Sequence, residues 1–159
     1  GEVGTLYVAD TLNHRILRRG RGELAPEVVL GDRGWGRDLD QLSSPRGVFV
    51  DEEGTVYVAD SNNDRVLRKR RGEAEPAVMF GNGGFGSGLD QLNSPTSVFV
   101  DEEGTLYAAD AFNDRILRRG RGDVGPKVVL GGQGRGSDFG QLYAPSGVFV
   151  DEEGTLYVA

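Results

Sequence analysis

The sequence predicts an all-β chain built as an arc of four-stranded β-propeller blades. Three observations carry that prediction. A 50-residue unit recurs without insertion or deletion. Each copy holds four short apolar runs bounded by turn residues. The first two runs of a copy are apolar on both faces, as strands sandwiched between neighbours are.

The 159 residues form one repeat array: copies 1–50, 51–100 and 101–150, and a partial copy 151–159. In register, Gly4, Gly54, Gly104 and Gly154 align. So do Asp10, Asp60 and Asp110; Arg15, Arg65 and Arg115; Pro26, Pro76 and Pro126; and Pro45, Pro95 and Pro145. The second and third copies agree at roughly 27 of 50 positions. A period of this length means one supersecondary unit per copy, stacked on its neighbours.

In the second copy the four expected strands are residues 47–50, 55–59, 65–68 and 77–80, rich in Val, Leu, Phe and Tyr. The first and second are joined by Asp51-Glu52-Glu53-Gly54, a short polar turn whose glycine supplies a positive φ. The second and third are joined by Asp60-Ser61-Asn62-Asn63-Asp64, where Asn and Asp can bond their own backbone. Arg71-Gly72-Glu73 makes a hairpin link to the fourth strand. No stretch holds helical periodicity over ten residues. The third strand, ended by Arg65 and Arg68, is expected to be more solvated than the first two. Inner strands covered by neighbouring blades and outer strands in water describe a propeller.

Composition narrows the chemistry. With 18 Lys+Arg against 25 Asp+Glu the net charge is −7, which argues against bulk electrostatic capture of nucleic acid. No apolar run is long enough for a helical membrane span. There is no Cys, so neither a disulfide framework nor Cys-ligated metal is available. One His, His14, precludes a three-His metal site within this chain. The missing Cys and the lack of an N-x-[ST] acceptor favour a cytoplasmic setting. The chain begins at Gly1 within a repeat, and the expectation is a cut through a longer array.

The run from Pro95 through Val98-Phe99-Val100-Asp101, Gly104-Thr105-Leu106-Tyr107-Ala108-Ala109-Asp110 and Asn113-Asp114-Arg115-Ile116 resembles the NHL repeat. Asn13-His14-Arg15-Ile16 gives the closest version of the tripeptide that names that family. Asp64 and Asp114 replace the His in the later copies, and Thr96-Ser97 departs from the usual x-Gly. The resemblance implies about three NHL-type blades, an arc of a larger, six-bladed propeller. It also implies non-catalytic binding of a protein partner as part of a larger protein, a ubiquitin ligase being one context. Other members bind RNA, and an RNA-binding propeller that uses the arginine-rich hairpins between third and fourth strands is an alternative expectation. Related amidating lyases hold metal on His residues that this chain cannot supply; a fragment of a six-bladed lyase- or lactonase-like enzyme is nonetheless a further alternative. A second copy closing the ring is another expectation.

Several motifs are weighed against this frame. Residues 60–64 have the Asp-x-Asn-x-Asp spacing of a calcium loop, but Arg65 stands where Gly is needed and Arg71 where Glu is needed, so a plain turn is expected. The Gly-rich 81–88 lacks the Lys and helix of a phosphate loop and reads as a flexible crossover between blades. His14 reads as a polar turn residue. No cofactor, metal or catalytic residue is expected.

Arg18, Arg19 and Arg21, Arg68, Lys69, Arg70 and Arg71, and Arg118, Arg119 and Arg121 form a candidate basic patch on the hairpins between third and fourth strands. They also read as edge charges that block sheet-to-sheet pairing. Blade geometry puts these hairpins on the same face as the acidic 51–54 turns, an inner acidic ring within an outer basic one. On the opposite face, Trp35, Phe85 and Arg135 occupy equivalent crossover positions, and Arg46, Thr96 and Ser146 follow the aligned prolines. Variation at one rim of a repeat array can carry recognition, and Trp, Phe and Arg suit interface anchors. These six are the candidate partner-binding residues. The competing and favoured expectation tucks Trp35 and Phe85 into the clefts between blades.

Overall fold

A computed structural model describes residues 4–159; residues 1–3, which open the first copy, lie outside the described residues. The strands are β1 (Leu6–Asp10), β2 (Arg15–Arg19), β3 (Glu27–Leu30), β4 (Pro45–Val50), β5 (Val56–Asp60), β6 (Arg65–Lys69), β7 (Ala77–Phe80), β8 (Pro95–Val100), β9 (Leu106–Asp110), β10 (Arg115–Arg119), β11 (Lys127–Gly131), β12 (Val148–Val150) and β13 (Leu156–Val158). They form four antiparallel sheets in the orders β1-β2-β3, β4-β5-β6-β7, β8-β9-β10-β11 and β12-β13. The two complete sheets are the expected four-stranded blades. First strands pack on the next blade, β4 against β8 and β8 against β12.

Each hairpin follows from its residues. Gly54 takes φ 79° and donates its amide to the Asp51 carbonyl at 3.0 Å, while Asp51 Oδ1 accepts the Thr55 amide at 2.8 Å. The first strand begins two residues earlier than expected, because a bulge at Arg46 lets Pro45 still pair with Asp60. Thr96 is the extra residue of the matching bulge in β8.

The link between second and third strands differs from expectation. It is a single 3-10 turn, at Thr11–Asn13, Ser61–Asn63 and Ala111–Asn113, closed by His14, Asp64 and Asp114 in the left-handed region. The Asn and Asp side chains bond one another and the neighbouring crossovers rather than their own turn.

The core lies in the clefts between blades. One cluster joins Val66 and Phe80 of one blade to Val98, Val100, Leu106 and Ala108 of the next, sealed by Leu92 from the crossover. A second joins Ile16 and Leu30 to Val56 and Val58 around Leu42. A third brings Ala109 and Ile116 to Val148. This is why first and second strands are apolar on both faces.

The third strand is not the solvated one. Arg65, Val66 and Leu67 are buried, and exposure is greater on the fourth strands, which are half-buried in β7, half exposed in β3 and largely exposed in β11. Arg65 enters the interior because each of its three guanidinium nitrogens donates to an oxygen there.

Candidate functional site: the crossover face

The face carrying the crossovers between blades is built by one arginine-centred clasp. Arg115 Nε donates to Asp110 Oδ2 at 2.7 Å. Its Nη1 donates to the Ser87 carbonyl at 2.7 Å, and its Nη2 to the carbonyls of Gly88 at 2.7 Å and Gln91 at 3.0 Å. Asn113 Nδ2 donates to Asp110 Oδ2 and to the Gly86 carbonyl, both at 2.8 Å. Asp110 Oδ1 also accepts the Asn93 amide at 2.7 Å. Arg65, Asn63 and Asp60 make the same set with the crossover one repeat earlier. The recurring Asn-x-Arg is therefore a fastening for the crossover that precedes its blade.

Burial pushes the Asp60 and Asp110 carboxyls up from the ordinary aspartate value; the Ser43 or Asn93 amide, the Asn side chain and the arginine oppose that rise. In the first sheet the Asp10–Arg15 pair is only half-buried. There the Arg15 and Asn13 donors hold the Asp10 carboxyl below its ordinary value.

The crossovers are not the flexible links their glycines suggest. Gly84 donates to the Gly81 carbonyl at 2.9 Å, Gly86 to Leu92 at 3.0 Å, and Leu92 back to Gly84 at 3.1 Å. Gly81 has φ 85°, and a Cβ there would run into the Asp64 carbonyl. Residues 35, 85 and 135 each form a parallel bridge to Leu42, Leu92 and Leu142. The bridge divides labour: Leu42 and Leu92 are fully buried, and the paired residue points outward.

Trp35 and Phe85 are consequently 71% and 67% exposed, which corrects the expectation that they fill the clefts. The clefts are already filled by the leucines opposite them. Arg135, the third member, lies 4.3 Å over the Tyr143 ring and 3.4 Å from Asp114. Arg46 and Ser146 are exposed on the same rim. Thr96 is committed to the fold, since its hydroxyl donates to the Pro145 carbonyl of the next blade at 2.8 Å.

Sequence reasoning missed five members of this surface. Leu12, Leu89, Phe112, Phe139 and Tyr143 are all exposed in the crossovers or the 3-10 turns beside them. Two carried a signal: Phe112 stands where another copy has Asn62, and Tyr143 where others have Ser43 and Asn93.

His14 has an accounted place. Its Nδ1 accepts the Ser44 amide at 3.0 Å, as Asp64 and Asp114 accept those of Ser94 and Ala144. Among the described residues no group of three or more His, Cys, Asp or Glu is arranged to hold a metal ion. No described helix is long and apolar enough to cross a membrane.

The candidate basic patch lies on the other face and is largely tied up locally. Arg18 bonds Glu23 and Glu27 at 3.0 Å each, and Arg19 donates to the Glu23 carbonyl. Arg68 and Arg70 share Glu73, Lys69 reaches the Ala74 carbonyl, and Arg119 donates to the Met79 carbonyl of the neighbouring blade. Arg121 covers Gly104. Arg21 and Arg71 are exposed, and Arg68 Nε and Arg118 Nε are buried without a partner.

Residues 42–68 match the NHL repeat model. No curated protein matches the chain. Solved structures that resemble it share its fold at low identity. An auxiliary nutrient binding protein from Bacteroides thetaiotaomicron is 16% identical with TM-score 0.71, over 98% of this chain and 42% of that one. A nidogen/laminin complex gives 19%, 0.67, 98% and 51%. A catalytically inactive virginiamycin B lyase from Staphylococcus aureus, solved with quinupristin, gives 14%, 0.67, 99% and 46%. The chain thus spans about half the length of each, or less. It carries an NHL repeat and has the β-propeller architecture of these structures.

Proposed function

We propose that the chain is a non-catalytic binding module that captures a protein partner on the crossover face. The observation that carries this reading is the outward placement of Trp35 and Phe85 on crossovers whose backbones are fastened. Exposed aromatic side chains on a rigid support offer large contact area with little ordering cost on binding. Arg46, Ser146 and the Arg135–Tyr143 pair extend the contact along the rim. A nidogen/laminin complex among the structural relatives is consistent with protein binding by this architecture.

Photo-crosslinking tests the reading. Benzoylphenylalanine placed at position 85 should yield a discrete protein adduct in cells, and the same group at position 53 on the other face should not. Equal adducts from both positions, or none from 85, would count against it.

A further inference from the structure

The face opposite the crossovers holds a second surface. The acidic turns, through Asp51, Glu52, Asp101, Glu102, Asp151 and Glu152, and the second and third arginine hairpins, through Arg68, Arg70, Arg119 and Arg121, line one open concavity of about 1060 Å³. In these two copies the hairpins thus share the face of the acidic turns, as expected. Its floor is aromatic. Phe49, Phe99 and Phe149, on β4, β8 and β12, pack at steep inclinations of 60° and 66°, with ring centroids 4.9 and 5.1 Å apart. Phe149 is half exposed.

The charges around this floor differ in freedom. Glu73 is held by Arg68 and by the Arg70 amide, and Asp123 by Lys127 and the Gly120 amide. Asp51, Asp101 and Asp151 each accept the threonine amide of their own turn. Glu52, Glu102 and Glu152 stand on the same wall, exposed, one per blade, with no side-chain hydrogen bond or ion pair among the described residues. The concavity therefore presents aromatic rings at its centre, uncommitted carboxylates beside them and arginines further out.

We propose that this concavity docks a partner's protruding loop with Lys or Arg at its tip beside apolar residues. The ring faces attract the cation and its aliphatic stem covers them. The carboxylates supply the opposite charge, and the outer arginines repel basic residues at the flanks of the loop, which sets register. This surface is separate from the crossover face and stands whether or not that reading holds.

The probe is a fluorescein-labelled peptide with a Leu-Lys-Arg-Leu centre and Glu flanks. Fluorescence anisotropy should show saturable binding that weakens with added salt. Replacing Glu52, Glu102 and Glu152 together by Gln should weaken binding about tenfold. That variant removes no contact of the fold, and its circular dichroism should match the parent. Trp35→Ala/Phe85→Ala should leave peptide binding unchanged. Unchanged affinity in the triple Gln variant, equal binding of a peptide with Glu in place of Lys and Arg, or no saturable binding at millimolar protein would each overturn the proposal.

Discussion

Asp64 Oδ1 accepts the backbone amide of Ser94 at 2.9 Å, tying the turn of one blade to the residue that opens the next. Both residues have positive φ, 53° each. His14 with Ser44 and Asp114 with Ala144 repeat the arrangement. The variable letter of the tripeptide thus serves one task, accepting an amide across the boundary between blades. Asp64→Ala leaves that amide without its acceptor and should cost about 1–3 kcal/mol in a urea unfolding titration. His14→Asp keeps an acceptor on a side chain that tolerates the left-handed region, and should change stability by less than about 1 kcal/mol.

The arginine clasp predicts unequal costs for one substitution in two copies. The side chains of Arg115 and Asp110 are 7% and 0% exposed, against 39% and 23% for Arg15 and Asp10. Arg115→Ala strands a buried carboxylate and should cost about 3–5 kcal/mol. Arg15→Ala should cost about 1 kcal/mol or less. Arg115→Lys should not restore the loss, because one ammonium cannot reach Asp110 and three carbonyls of the crossover at once. Chemical denaturation of the three variants checks this.

The fold was legible because period and punctuation agree. The four strands fall within two residues of their expected bounds, since Gly54 and the Asn-Asp turns mark their ends. The tertiary role of polar residues was not legible. Arg65 looks like a solvated strand end, and only the crossover carbonyls 24 to 28 residues back in the sequence show why it is buried. The outward turn of Trp35 was hidden for a similar reason. Trp35 and Leu42 are both apolar, and only the bridge between them decides which one faces the cleft.

Acid should weaken the hairpin between β6 and β7 through Glu73. The Arg70 amide, which donates to Glu73 at 3.0 Å, together with the attraction of Arg68 and Arg70, holds this carboxyl below its ordinary value. A carboxyl depressed in the folded state stabilises above its unfolded value, about 4.3, and that contribution fades as pH falls through the folded one. The melting-temperature gap between the parent and Glu73→Gln should therefore be present at pH near 7 and shrink toward zero as the pH falls through the folded value. A gap that widens in acid would contradict this assignment.

Neighbouring apolar positions on one crossover should behave oppositely. Leu92 is fully buried between two blades, and Leu92→Ala should cost about 2–5 kcal/mol. Phe85, its bridge partner, is mostly exposed, and Phe85→Ala should change stability by about 0.5 kcal/mol or less. Thermal unfolding of both variants separates the fastening residue from the presenting one.

The central claim is that the aromatic crossovers bind rather than brace. The most direct measurement pairs unfolding free energy with partner affinity for Trp35→Ala/Phe85→Ala, using the protein captured by crosslinking at position 85. The account predicts near-parental stability and an affinity at least about tenfold weaker, as expected for loss of interface anchors. Full partner binding with lost stability would contradict it.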